Sequence, residues 1–236
     1  MRATDASSIY NSLQVAVRRR FSQGLQLNIN YTLSRAESDS SNDRTDLAQD
    51  ITNLAAERAL TNYDRTHIFG ANYVWELPFF NDRSNKLMYN ALGGWQISGS
   101  TQLASGVPLT ITTTSTASNS FGSVTRRPNL IGEPEGARTA NEWFNTGAFA
   151  NPAANTFGNS PRSVVRGPRR HATDLGLFKN FAVSDRVGLQ YRLEAFNVFN
   201  ETNFTTVGTV LGNTTFGRVT AAGDPRMIQM GFKVTF

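Results

Sequence analysis

The chain has 236 residues and no cysteine, so it carries neither a disulfide framework nor a thiolate metal site. Only 17% of residues are charged, 39% are hydrophobic and 11% aromatic, with mean hydropathy -0.35. No run approaches the ~18 apolar residues of a membrane-crossing helix, which excludes a helical membrane protein but not a barrel, whose strands hide their hydrophobicity in alternation.

Lys and Arg outnumber Asp and Glu by 23 to 18. An Arg-rich lumen and loops account for that balance, and dispersed basic residues without interleaved aromatic platforms argue against nucleic acid. The opening stretch, Met1 to Ser8, has no apolar run after its charge and is not a signal peptide. A precursor bound for an outer membrane needs one, so a fragment or a truncated gene is expected.

Ile9 to Phe21 reads as the first strand, with Leu13, Val15 and Val17 opposite Ser12, Gln14 and Arg18. Ser22-Gln23-Gly24 is a tight hairpin turn. Leu25 to Ser34 is the cleanest segment: Leu25, Leu27, Ile29, Tyr31 and Leu33 alternate with Gln26, Asn28, Asn30, Thr32 and Ser34, giving one greasy and one wet face. A polar stretch at 35–65 follows, in which Asp46 to Leu60 is expected to form a short helix. Thr66 to Leu77 puts Phe69, Ala71, Tyr73, Trp75 and Leu77 on one face, with Ile68 and Val74 spoiling the other. After a shorter connection at 78–89, Trp95 to Leu103 carries Trp95, Ile97 and Leu103 opposite Gln96, Ser98, Ser100 and Gln102, and is expected to continue past Pro108 towards Ile111.

A very long Thr/Ser/Asn/Gly/Pro/Arg-rich connection spans 112–172. Thr173 to Phe181 follows, with Leu175 and Leu177 in pattern and Phe178 off it, then a short connection at 182–186. Val187 to Ala195 sets Val187, Leu189, Tyr191, Leu193 and Ala195 against Gly188, Gln190, Arg192 and Glu194. Arg192 and Glu194 are too costly against lipid, so that side looks inward. After a long connection at 200–226, Ile228, Met230, Phe232, Val234 and Phe236 share the last apolar face, opposite Gln229, Gly231, Lys233 and Thr235.

The fold class expected is all-β: an antiparallel up-and-down transmembrane β-barrel, a partial barrel of about seven strands. Short and long connections alternate, as in barrels with short periplasmic turns and long extracellular loops, here 35–65, 112–172 and 200–226. That orientation runs the last strand inward, with Phe236 at the periplasmic face. Trp75, Phe79, Phe80, Tyr89, Trp95, Phe178 and Phe181 then form a periplasmic aromatic girdle.

Reaction chemistry is hard to place. His67 and His171 each have one carboxylate three positions away, Asp64 and Asp174, too few for a zinc or iron site. Phosphate-cradling and nucleophile-elbow motifs are missing, and Glu133 and Glu135 read as solvated loop residues. The expectation is no enzyme, no catalytic or metal residue and no cofactor. Arg162, Arg166, Arg169 and Arg170 cluster before a strand. They read either as loop salt bridges or as contacts to lipopolysaccharide phosphates or another anion, which a guanidinium fork suits. The rivals to a barrel are a soluble β-sandwich adhesion or carbohydrate-binding module and a secreted β-rich hydrolase.

Asn62-Tyr63-Asp64-Arg65-Thr66-His67-Ile68-Phe69, then Trp75-Glu76-Leu77-Pro78-Phe79, resembles a segment of TonB-dependent receptors with an Oar-like barrel, which often carry an N-terminal carboxypeptidase-regulatory-like domain. Gly93-Gly94-Trp95-Gln96-Ile97-Ser98-Gly99 and Ser105-Gly106-Val107-Pro108-Leu109-Thr110 look like that family's next strand. Arg127-Pro128-Asn129-Leu130, Trp143-Phe144-Asn145-Thr146 with Ala148-Phe149, and Thr156-Phe157-Gly158-Asn159 are similar to its long-loop motifs. Arg166-Gly167-Pro168, Leu177-Phe178-Lys179-Asn180-Phe181 and Glu194-Ala195-Phe196-Asn197-Val198-Phe199-Asn200 complete an ordered set covering nearly the whole chain.

The resemblance implies the C-terminal part, residues 1–236, of a much larger plugged barrel in the outer membrane of a Gram-negative bacterium, binding a ligand outside and transporting it with energy delivered by TonB. It implies as partners outer-membrane lipid and lipopolysaccharide, the remaining strands and plug, TonB through the N-terminal part, and the outer-membrane assembly machinery. Phe232, Val234 and Phe236 resemble the C-terminal signal read by that machinery.

Overall fold

Seven long strands follow one another as β1 (Ser8–Ser22), β2 (Leu25–Ser38), β3 (His67–Glu76), β4 (Trp95–Ala104), β5 (Arg170–Ala182), β6 (Gly188–Phe196) and β7 (Met227–Thr235) in the computed structural model, which describes residues 6–40, 48–50, 52–82, 84–115, 126–184 and 187–236. Each pairs antiparallel with the next in chain order, and a short strand, Ala59–Leu60, pairs with the end of β2. This is an up-and-down meander, and the seven segments are those that alternation marks in the sequence. Among the described residues β1 and β7 do not pair with each other, so the sheet is open.

Register joins the apolar halves into one continuous side. Val17 opposes Ile29, Ile29 opposes Ala71, and Leu27 opposes Tyr73. Trp75 opposes Ile97, Ile97 opposes Leu177, Leu177 opposes Leu193, and Leu193 opposes Met230. Opposed residues point to the same face of a sheet, so Gln26, Asn28, Asn72, Ser98, Ser100, Asp174, Glu194 and Gln229 share the other side.

Among the described residues no second sheet covers the apolar side. Val15, Val17, Met230, Phe232 and Val234 are exposed, Phe232 to 71%, and Leu27 and Ile29 are only partly buried. A water-soluble sandwich would seal these residues in its interior, so the β-sandwich alternative does not describe this chain. The chain's main hydrophobic cluster lies in the connections instead: Ile111, Trp143, Phe144, Ala148, Phe149, Val165 and Val207 are buried together. Phe144 meets Phe149 and Phe216 edge-on, with ring centroids 5.8 and 5.2 Å away.

The connections differ from expectation in several places. β4 does not continue past Pro108. It stops at Ala104, and Pro108–Leu109 pairs with Val165–Arg166 inside the loop unit, carrying Ile111 to full burial. Gly106 sits where an added Cβ would lie 1.8 Å from the Gly167 carbonyl oxygen, and that close packing turns the chain out of the sheet.

The expected helix at Asp46 to Leu60, of which 46–47 and 51 lie outside the described residues, is only a 3₁₀ turn, Leu54–Glu57. Glu57 is drawn into a buried ion pair and Ala59–Leu60 into the sheet, and both override local helix propensity.

The connection begun at Pro78 contains a helix, α1 (Lys86–Leu92), capped by the Asn85 side chain accepting from the Met88 N–H, and runs on to Gly94. The connections at 112–172 and 200–226, of which 116–125 lie outside the described residues, hold short strands such as Asn129–Leu130, Phe149–Ala150, Phe204–Val207 and Val219–Ala222. They are therefore packed structure, not bare loops. Of the short connection at 182–186, residues 185–186 lie outside the described residues. Phe178 faces the polar side, under the Arg192 guanidinium at 5.8 Å, so it does not belong to the aromatic girdle.

Candidate functional site

The loop unit is fastened to the sheet by charge. Arg127 donates from both terminal nitrogens to the Glu57 carboxylate, at 2.6 and 2.9 Å, with both side chains buried. Its Nε donates to the Ser160 carbonyl at 2.9 Å. Gln49 closes the network: its Oε1 accepts from the Arg127 backbone N–H, its Nε2 donates to the Gly158 carbonyl, and its own N–H donates to Glu57. A buried ion pair persists only when its remaining hydrogen-bonding capacity is filled, as it is here. This lock ties the 35–65 connection to the 112–172 connection.

A second lock sits at the head of β3. The buried Asp64 carboxylate accepts from the Ala36 backbone N–H at 2.8 Å and from Arg166 Nη2 at 2.8 Å. Arg166 also donates to Thr66 Oγ1 and to the Gly106 carbonyl. Its own carbonyl accepts from Trp143 Nε1 at 2.8 Å, joining the lock to the apolar cluster. Arg65 donates to the Ser105 carbonyl at 2.6 Å.

The four clustered arginines therefore separate. Arg162 is buried and donates to the Asp39 and Glu57 carbonyls at 2.6 and 3.0 Å, while Arg166 holds Asp64. Arg169 and Arg170 are exposed and line a cleft of about 1120 Å³ between the loop unit and the end of the apolar side, with Tyr31, His67, Trp143 and His171. A smaller trough of about 450 Å³ lies on the polar side against Gln26, Asn72, Ser100, Asp174 and Glu194.

The histidines do not join their neighbouring carboxylates. His67 Nδ1 meets the Tyr31 hydroxyl at 2.8 Å, and His171 Nδ1 lies 3.7 Å from Glu201. Asp174 accepts from the Asn197 backbone N–H, and Asp64 is taken by Arg166. Phe232, Val234 and Phe236 lie exposed on the open edge strand or just past it, Phe236 at 98%, with the Tyr191 ring 5.2 Å from that of Phe232.

Sequence reasoning did not find Glu57, Gln49 or the pairing of Arg127 and Arg166 with distant carboxylates. Asp64, Arg127 and Arg166 did sit in stretches that resemble a known family, whereas Gln49 and Glu57 lay in no such stretch and carried no signal. It also missed Lys179, which register places on the apolar side opposite Trp95 and Tyr191.

A family model for an outer membrane beta barrel domain matches residues 1–229. No curated protein and no solved structure matches the chain. The antiparallel meander, apolar on one side and polar on the other, is consistent with that match, and the chain belongs to the outer membrane beta barrel domain family.

Proposed function

We propose that the chain is the C-terminal barrel part of a TonB-dependent receptor with an Oar-like barrel in a Gram-negative outer membrane, a binding and uptake protein and not an enzyme. The observation that carries this reading is the pair of locks. Asp64, Arg127 and Arg166, each in a motif resembling that receptor family, fasten the long connections into one structured unit at one end of the strands. A receptor needs such a unit, because a rigid outer surface selects a ligand with less ordering cost than loose loops.

The ligand-facing surface in this reading is the loop unit, with Arg169 and Arg170 offered to anionic groups of lipopolysaccharide or ligand. The open edges at β1 and β7 are where the remaining strands of the barrel pair, since unpaired backbone groups are not tolerated in lipid. Phe232, Val234 and Phe236 serve the outer-membrane assembly machinery, and TonB acts through a plug elsewhere in the receptor.

An antibody raised to the loop unit tests the whole assignment on outer membranes of the source cells. The expected product is a detergent-extracted polypeptide far larger than 25.9 kDa, with sequence preceding residue 1. A native product of 25.9 kDa overturns it.

A further inference from the structure

Lys179 stands on the apolar side of the sheet, flanked by Trp95 and Tyr191 on the neighbouring strands. A lysine facing acyl chains costs up to about 2–4 kcal/mol at mid-bilayer and less towards either surface. Lys179 does not face them. It is 3% exposed, and its ammonium donates to the Tyr89 carbonyl at 3.0 Å and to the Gly93 carbonyl. The rings of Trp95, Phe181 and Tyr89 surround it at 5.2, 5.3 and 5.9 Å from their centroids.

Those carbonyls lie at the C-terminal end of α1, where the helix presents its negative pole; the Tyr89 oxygen also accepts from the Gly93 N–H at 2.9 Å, and Gly93 is the residue that caps the helix. A cation on the sheet thus pins the helix end to β5. Asn90 adds a second tie, donating to the Ala182 carbonyl at 3.2 Å and accepting from the Ala182 N–H at 2.9 Å.

The surface this pinned element turns away from the sheet is apolar. Leu87 is 85% exposed, and Met88, Leu92, Phe79 and Phe80 are exposed beside it. Trp75, on the apolar side at the end of β3 that leads into Phe79 and Phe80, is exposed as well, so the chain carries apolar surface from the lipid-facing side into this connection. Interfacial elements present large apolar and aromatic residues at this depth, where one end of the site is dry and the other wet.

We propose that Phe79, Phe80 and α1 form a membrane-interface anchor, seated in the headgroup–acyl boundary of the phospholipid leaflet at the short-connection end, with Lys179 as its pin. The partner is the bilayer itself, the same one the apolar side meets. The proposal rests on the outer-membrane reading of that side and adds a depth and an orientation to it.

These 236 residues hold no cysteine, so single probes can be introduced into them. Leu87→Cys, Met230→Cys and Ile131→Cys are made in the receptor of which the chain is part, with any cysteine outside these 236 residues changed to serine; each is labelled with nitrobenzoxadiazole and reconstituted in vesicles of phosphatidylethanolamine and phosphatidylglycerol. They are then quenched by iodide or by lipids spin-labelled near the headgroup or deep in the chain. The expected result is quenching of position 87 by the shallow spin label with loss of iodide access, of position 230 by the deep label, and of position 131 by iodide alone. If position 230 behaves as expected but position 87 follows position 131, the anchor is overturned. If position 230 also follows position 131, the membrane reading itself falls.

Lys179→Met and, separately, Asn90→Ala are each combined with Leu87→Cys to test the pin. Restored iodide access at position 87 in Lys179→Met, with position 230 still lipid-quenched, supports it. An unchanged position 87 in both variants overturns the role of Lys179.

Discussion

Glu57 and Arg127 illustrate how much a single pair carries in this chain. Both are buried, and each fills the other's hydrogen-bonding capacity, so truncating one leaves a charge with no partner and costs about 3–5 kcal/mol. We expect Arg127→Ala to release the loop unit while the long strands stay folded. Limited proteolysis should then cut within 105–169 at protease levels that spare the parent, with β-type circular dichroism unchanged.

Asp39 gives a residue-scale pH effect at the loop end, outside the strands. The Ser7 backbone N–H holds its carboxyl below the ordinary carboxylate range, the Ser7 hydroxyl and Arg58 add to this, and partial desolvation opposes it. A depressed carboxyl stabilises the fold above the unfolded pKa, near 3.9, and the contribution is lost as pH falls through the lower folded value. The amide resonance of Ser7 should therefore titrate with a midpoint below 3.9, and a midpoint at or above it refutes the contact. Neither effect was legible in the sequence, because a carboxylate and a guanidinium far apart in the chain carry no local pattern.

Among the elements, the strands were legible and the internal structure of the longer connections was not. Alternation is a property of the strand itself, so the boundaries of β1, β2 and β7 fall within a few residues of the pattern. The hairpin between β1 and β2 was also legible, since Gln23 and Gly24 both take positive φ, 51° and 76°, as a two-residue turn of this kind requires.

The Gly93-Gly94 step into β4 was seen only as a motif, and its cause is tertiary. Gly94 has φ +69°, and an added Cβ would lie 2.5 Å from the Asn180 carbonyl oxygen. We expect Gly94→Ala to cost about 1–3 kcal/mol from left-handed strain alone and to loosen α1 from β5. Hydrogen exchange at the Asn180 amide, which donates to the Gly94 carbonyl at 2.8 Å, should rise without a matching rise in β1 and β2.

For the molecule as a whole, the two sides of one sheet meet different solvents. Ile29 lies mid-strand on the apolar side, and its neighbour Asn28 lies on the polar side. Ile29→Arg should therefore destabilise the barrel that contains this chain, folded in lipid vesicles, by about 2–4 kcal/mol, while Asn28→Arg should stay near zero. Urea titration of both variants in the same vesicles checks this, and equal losses would mean that the sheet does not lie with one face in lipid.

The sequence by itself determined the all-β class, the seven strand positions and which side chains share each face, because the two-residue period of a strand is written into consecutive residues. Tertiary structure alone decided three things: that the main hydrophobic cluster lies in the connections, that Arg162 and Arg166 are spent holding the loop unit, and that Lys179 is buried beneath α1 instead of facing lipid. Each depends on groups brought together from distant parts of the chain. Burial and pairing energies between such groups outweigh local propensity, and no short stretch of sequence records them.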